Sequence, residues 1–245
     1  MSIASELNRL LQAKSDLATA IANKGVTVPA NATLDDYAAL VDSIQTGGGG
    51  ETLPYDAEVE YLQSDGNQYI DTNIVLTKNY AITIDCAVIS GSSFPTVLGA
   101  LSANSCYSIP LALNNSGNPY TQVGGGNSYA TLYSTNKFGS TIVSYTCSGD
   151  GSKQYISDRD KSVNSSFSGS LSTLSMYLFA RHRHDTTVGN YATAKIGKVS
   201  ITIGGVLQRD YIPVRVGTVG YMYDKVSGEL FGNNGSGSFT LGSDV

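Results

Sequence analysis

The sequence predicts a mainly β protein, with an N-terminal α-helical hairpin or coiled-coil segment followed by a β-sandwich of the jelly-roll kind. Three observations lead there. Apolar residues recur at heptad spacing over the first two dozen residues, glycine runs uninterrupted from Gly47 to Gly50, and everything after Pro54 alternates short strand-like runs with turn residues. The boundaries read as 1–46 for a helical segment, 47–53 for a Gly-rich linker and 54–245 for the sandwich.

The helical segment rests on Ile3, Leu7, Leu10, Leu17 and Ile21, with Lys14 interrupting an otherwise heptad seam. Ala4, Ala13, Ala18, Ala20 and Ala22 raise helix propensity. A short exposed helix is marginal alone. Burying the seam against copies of itself, or against a second helix, stabilises it, and Lys14 costs stability while fixing register or oligomer number. The six seam residues are therefore the candidates for self-association. Gly25 is placed to stop the helix. Thr33 to Asp36 resembles a capping box, and Leu34, Tyr37, Val41 and Ile44 form the stripe of a second short helix. That second helix carries Asp35, Asp36 and Asp42 and no cation, so the hairpin is not a DNA reader.

The β region is read from alternation. Ala81 to Val88, Leu174 to Ala180, and Val199 to Ile203 alternate core and surface residues. Gly204-Gly205 then signals a hairpin, with Val206 to Val214 returning. Turn clusters such as Asp65-Gly66, Gly149 to Gly151 and Asn233 to Gly237 punctuate about a dozen expected strands.

Composition narrows function. Of the 245 residues only 14 % are charged, against roughly 25 % in an average globular chain, while 41 % are hydrophobic. Gly, Ser, Thr, Asn and Tyr make up the difference, which suits extracellular or virion β-structure. A net charge of −5 without a basic stripe argues against a nucleic-acid partner. No apolar run approaches the ~20 residues of a membrane span, so no membrane insertion is expected. The N-terminus lacks a secretion-signal pattern, so assembly in a host cytoplasm is expected. Cys86, Cys106 and Cys147 are too widely spaced for a metal or redox motif, and Cys86 and Cys147 read as small buried hydrophobes. No metal or other cofactor is expected.

Two resemblances add to this. Leu11 to Pro29, followed by Leu34-Asp35-Asp36-Tyr37-Ala38, resembles a short helical module of phage tail and fibre proteins. Glu60 to Thr72, Tyr177 to Arg181, Val206 to Val214 and Gly220 to Phe231 resemble the concanavalin A-like lectin/glucanase superfamily, in the laminin G-like form common in gut phage and prophage genomes. The resemblance implies a concanavalin A-like sandwich on a bacteriophage virion protein, as a fibre or head-decoration subunit. Its N-terminal segment joins copies of the chain, with the fibre resemblance implying a trimer, and attaches to other virion proteins, while its sandwich faces a bacterial surface glycan. The short chain and the N-terminal helical module lean toward a head fibre or tip accessory. The family holds binders, structural modules and enzymes, so function rests on the site.

The candidate chemistry is then weighed residue by residue. Glu58-Val59-Glu60 and Asp158-Arg159-Asp160 lack the Glu-x-Asp-x-x-Glu cluster of retaining glucanases of this superfamily, so they read as solvated carboxylates and no catalytic residue is expected. His182 and His184 share one strand face if the Leu174–Ala180 strand continues, which suits a metal, but no third ligand is placed. Arg181, His182, Arg183 and His184 read instead as an exposed polar stretch open to an acidic glycan or a neighbouring subunit. Gly124 to Gly126 lacks the Lys-Ser/Thr of a phosphate loop and reads as a turn. Among 16 tyrosines and no tryptophan, Tyr107, Tyr120, Tyr129 and Tyr133 fall at loop-like positions where rings stack on sugars. Filling a sandwich edge or a subunit contact is the alternative for each. Asp71 and Asp224 read as acceptors that fix turns.

Overall fold

The computed structural model describes residues 2–23, 26–43, 53–91, 93–126, 128–134, 136–158, 161–184 and 187–245. It divides into two compact units, Met1–Leu53 and Pro54–Val245. The glycine run and Gly25 lie outside the described residues, as does Ile44.

In the first unit, helix α1 spans Ile3–Ala22. Ser2 caps it, its hydroxyl accepting from the Ser5 N–H at 3.2 Å, and Glu6 sits in the first turn where the helix dipole favours an acid. Helix α2 spans only Asp36–Asp42. The capping box forms by half. The Asp36 carboxylate accepts from both the Thr33 N–H (2.6 Å) and the Thr33 hydroxyl (2.8 Å). The Thr33 hydroxyl thus donates to the acid and does not cap the helix, and the helix begins after a turn in which the Asp36 N–H donates to the Thr33 carbonyl. The stripe differs too. Tyr37 is buried and Leu40 half-buried, while Leu34 and Val41 are exposed. In a helix this short only one i, i+3 pair faces α1, and Leu34 lies before it in the turn.

Ile21 joins Ala32 and Tyr37 in the small core of this unit, flanked by Ala18, Val26, Val28 and Leu40. The Tyr37 hydroxyl donates to the Lys14 carbonyl at 3.4 Å. Ile21 therefore leaves the expected seam and closes the hairpin. The four other apolar seam residues remain uncovered, from Ile3 at 90 % exposed to Leu17 at 40 %, while Lys14 is half-buried.

The second unit is a sandwich-like pair of antiparallel sheets, so the molecule is mainly β with an N-terminal helical part. Nineteen strands are found among the described residues, more than the dozen expected, because several are two-residue pairings invisible to periodicity. The larger, eleven-stranded sheet is centred on Asn79–Gly91 and Ala192–Ile203, paired antiparallel over most of their lengths. Ile82, Ile84 and Cys86 on one strand enter the core at period-2 spacing, as do Val199 and Ile201 on the other, and a register shift between Ile196 and Val199 lets Ile196 join them. The predicted hairpin is present. Ile203 faces Val206 across Gly204 and Gly205, whose φ values of +59° and +82° suit a two-residue primed turn.

The smaller, eight-stranded sheet runs Val188–Gly189, Arg181–Arg183, Thr96–Ser102, Cys106–Leu113, Pro119–Gly124, Ala130–Tyr133, with Ser175–Leu178 bridging Thr96–Ser102 and Ile70–Val75. The expected single strand Leu174 to Ala180 is broken. Phe179 takes φ +66°, the chain turns, and Arg181–Arg183 runs parallel to Thr96–Ser102 whereas Ser175–Leu178 runs antiparallel to it. Met176, Leu178, Phe179 and Ala180 are all buried, so alternation fails where the chain turns within the core.

Asp71 and Asp224 act as read. Asp71 accepts from the Asn73 N–H at 2.8 Å. Asp224 is fully buried, accepts from the N–H groups of Asp210, Val226 and Ser227, and pairs with Arg209 at 3.6 Å. Cys86 and Cys147 are buried, and burial pushes the Cys147 thiol pKa well above its ordinary value.

Candidate functional site

The register of the smaller sheet puts Thr96, Ala112, Tyr120 and Tyr133 in one row, each facing the next across a strand pair. Opposed residues share a face. Ala112 and Tyr120 join Ile109 in a cluster separate from the main core, with Tyr107 packed at its edge. This face of the sheet is turned away from the sandwich interior and is rich in tyrosine.

Arg181 anchors it. The side chain is only 8 % exposed, and its guanidinium donates to the Thr96 hydroxyl at 3.2 and 3.0 Å and to the Tyr120 hydroxyl at 3.3 Å. Burial pulls the guanidinium pKa down, and the Tyr120 hydroxyl pulls it back up. Burial likewise raises the Tyr120 pKa, with Arg181 opposing it. Among the described residues no carboxylate stands within ion-pair distance of Arg181. The Thr96 and Tyr120 hydroxyl oxygens are what this buried cation meets among the described residues.

The predicted sugar-contact residues thus divide by depth. Tyr129 and Tyr133 are about half exposed, at 48 % and 51 %. Tyr133 leans on Tyr120 with ring centres 5.7 Å apart, and Tyr129 on Tyr107 at 5.2 Å. Tyr120, at 4 % exposed, and Arg181 are buried, so they brace the face from below and do not present themselves to a ligand. Arg183 is half-buried, with its stem against Gly189.

The three-residue strand that carries His182 ends at Arg183, so His184 lies just past it. The His182 ring stacks on Tyr177 at 4.1 Å and 8°, with its Nδ1 at 2.9 Å from the Ser175 carbonyl oxygen. His184 instead lies beside Cys106, Ser170 and Leu174. Among the described residues no group of three His, Cys, Asp or Glu side chains is gathered for a metal.

Sequence reasoning missed the continuation of the aromatic stack. Tyr177 also stacks on Tyr69 at 4.8 Å, and Tyr69 meets Tyr191 edge-on at 6.4 Å. Tyr69 and Tyr177 lie within the segments that carry the lectin-like resemblance, a signal that was available. As for the candidate acids, Glu58 accepts from the Tyr55 hydroxyl at 3.3 Å and Glu60 from the Ser243 N–H at 3.4 Å, on either side of buried Val59. The Asp158 side chain, Arg159 and Asp160 lie outside the described residues.

No family model matches the chain, and no curated protein matches its sequence. Solved structures do resemble it. A candidate carbohydrate-binding protein from Bacteroides ovatus ATCC 8483 aligns over 76 % of this chain with a TM-score of 0.53 and 12 % identity. This chain spans 60 % of that protein's length. The full-length tailspike protein 2 of Escherichia coli O157:H7 bacteriophage CAB120 aligns over 63 % of this chain and 23 % of its own, with a TM-score of 0.36 and 12 % identity. The first likeness is one of fold.

Proposed function

We propose that this chain is a non-catalytic surface protein of a bacteriophage virion, a fibre or decoration subunit whose concanavalin A-like sandwich binds a host-surface glycan. The observation that carries the binding half is the tyrosine face of the smaller sheet. Exposed Tyr129 and Tyr133 offer flat apolar rings with hydroxyl edges, a combination suited to a sugar's C–H face and its hydroxyls. The Arg181–Tyr120–Thr96 network holds that face still, which limits the entropy lost on binding. The fold shared with a candidate carbohydrate-binding protein agrees with this reading.

The assembly half is carried by α1. Ile3, Leu7, Leu10 and Leu17 leave a row of large apolar side chains uncovered in a single chain, and such a row on a short helix is stabilised by covering it. Copies of the chain, as a trimer, or other virion proteins cover it. Several sandwiches on one stalk multiply a weak affinity for each sugar. The virion, assembled in the host cytoplasm, is the location that follows.

A glycan array tests the reading. Specific retention supports a lectin, and a blank array supports decoration without a ligand. Release of reducing ends from bacterial polysaccharide, lost on Glu58→Gln or Asp158→Asn, would replace both with a glucanase-like enzyme.

A further inference from the structure

At one end of the sandwich lies a cleft of about 380 Å³, between the end of Asn79–Gly91, the Ser93–Pro95 segment and the turn after Leu113. Phe94 and Phe138 form apolar walls, and Ser93, Asn114, Asn115 and Lys137 supply the polar groups. This is the mixture that small-ligand sites show, largely apolar with a few placed donors and acceptors. Among the described residues that line it, Lys137 is the one charged side chain.

Phe94 is held in an unfavourable backbone state. Its φ is +58°, which a bulky residue rarely adopts, and Pro95 follows it, which restricts the preceding residue toward extended backbone. Three hydrogen bonds hold the segment there. The Asn190 side chain donates to the Ser93 and Phe94 carbonyls at 2.8 and 3.3 Å, and the Thr96 hydroxyl donates to the Phe94 carbonyl at 3.4 Å. The ring stays 40 % exposed nonetheless. A large apolar ring kept in a strained backbone and left open to solvent is the kind of outlier that marks a ligand site.

The opposite wall is ordered as well. The Asn114 side-chain oxygen accepts from the N–H groups of Ser116 and Asn118, both at 2.9 Å, which leaves the Asn114 amide nitrogen as a fixed donor. The Ser93 hydroxyl donates to Asn115 at 3.3 Å, tying the two walls together. Phe94 also meets Tyr120 edge-on at 6.4 Å, so the cleft adjoins the tyrosine face and shares its Thr96 and Tyr120 supports. In the wider hollow beside Asp71 and Asn233, the Asp71 Oδ1 and Asn233 Oδ1 atoms already accept from backbone N–H groups.

We infer that this cleft is a second binding site, taking a single sugar ring that carries a carboxylate, a uronic-acid type of residue. The ring's C–H face lies on Phe94, its hydroxyls meet the Asn114 and Asn115 amides, and its carboxylate meets Lys137. The kind of ligand rests on the glycan reading; the site itself stands on the cleft and on Phe94.

The test is ligand-observed NMR on the full chain with methyl glucuronide and methyl glucoside. The glucuronide binds at least about tenfold tighter than the glucoside. Phe94→Ala and Asn115→Ala each weaken it several-fold with thermal unfolding unchanged or raised, and Lys137→Gln brings the two sugars level. Binding of neither sugar, equal binding of both, or glucuronide binding that survives Phe94→Ala and Asn115→Ala overturns the inference. A glycan array read alongside separates the two claims. A blank array with glucuronide still held in the cleft defeats only the tyrosine face as a lectin site, and a positive array with an empty cleft defeats only this inference.

Discussion

The Arg181 guanidinium donates to the Tyr120 hydroxyl at 3.3 Å, and both side chains are buried beneath the outer face of the smaller sheet. The relation turns two residues that look like ligand contacts in the sequence into a brace. Arg181→Ala leaves the Tyr120 and Thr96 hydroxyls short of a partner in a dry environment and is expected to cost about 3 kcal/mol. Arg181→Lys should recover little, since one ammonium cannot reproduce the fork. Urea denaturation of the two variants checks this, and a cost under about 1 kcal/mol for Arg181→Ala would contradict it.

The apolar row on α1 gives a second expectation. Leu10→Asp combined with Leu17→Asp should yield monomers in sedimentation while helix content and sandwich stability stay unchanged, because both side chains are exposed in the single chain. Ile21→Asp should instead unfold the hairpin, since Ile21 is buried against Ala32 and Tyr37. Unchanged oligomers in the double variant would defeat the assembly reading.

Thiol chemistry follows from burial. Cys86 and Cys147 are buried out of reach of a reagent, and burial also pushes the Cys147 thiol pKa upward, away from the thiolate. Under native conditions a disulfide-exchange reagent should titrate at most Cys106, and all three thiols should appear on unfolding. Rapid reaction of more than one native thiol would show that the core is looser than described.

Stability should also depend on acid. The Tyr155 hydroxyl, at 2.6 Å, and the Ser152 and Lys153 N–H groups hold the Asp150 pKa well below its ordinary value. The bidentate Arg215 fork lowers the Asp244 pKa as well. A carboxylate whose folded pKa lies below its unfolded value stabilises the fold above the unfolded value, and that contribution is lost as the pH falls toward the folded one. Urea midpoints should therefore hold level from neutral pH to about 5 and fall below about 4. Asp150→Asn and Asp244→Asn should each flatten the fall, and an identical profile in both variants would contradict the assignment.

What the sequence revealed, and what it concealed, follows physical lines. The Gly204-Gly205 hairpin was legible because a two-residue primed turn demands residues that tolerate positive φ. Buried Asp224 was legible as a turn acceptor from its place in the Gly220–Phe231 segment. The turn at Phe179 was not, because a bulky residue with positive φ has no local signature and is fixed by tertiary contacts. The same holds for Phe94. Exposure was the hardest property to foresee. Tyr120 and Tyr133 face each other across one strand pair, yet one is buried under Arg181 and Phe94 while the other stays open. Ile21 left the heptad seam because the hairpin needed one large side chain to close on Tyr37, and spacing alone does not say which helix a seam residue will meet.

The central claim is that exposed tyrosines on a braced sheet face hold a glycan. Its most direct measurement is the binding of the full chain, beside Tyr129→Ala and Tyr133→Ala variants, to the glycan an array selects. The account predicts a loss of about tenfold for each ring removed, with unfolding temperatures unchanged. Undiminished affinity in the double variant, or an array that retains nothing, would contradict it.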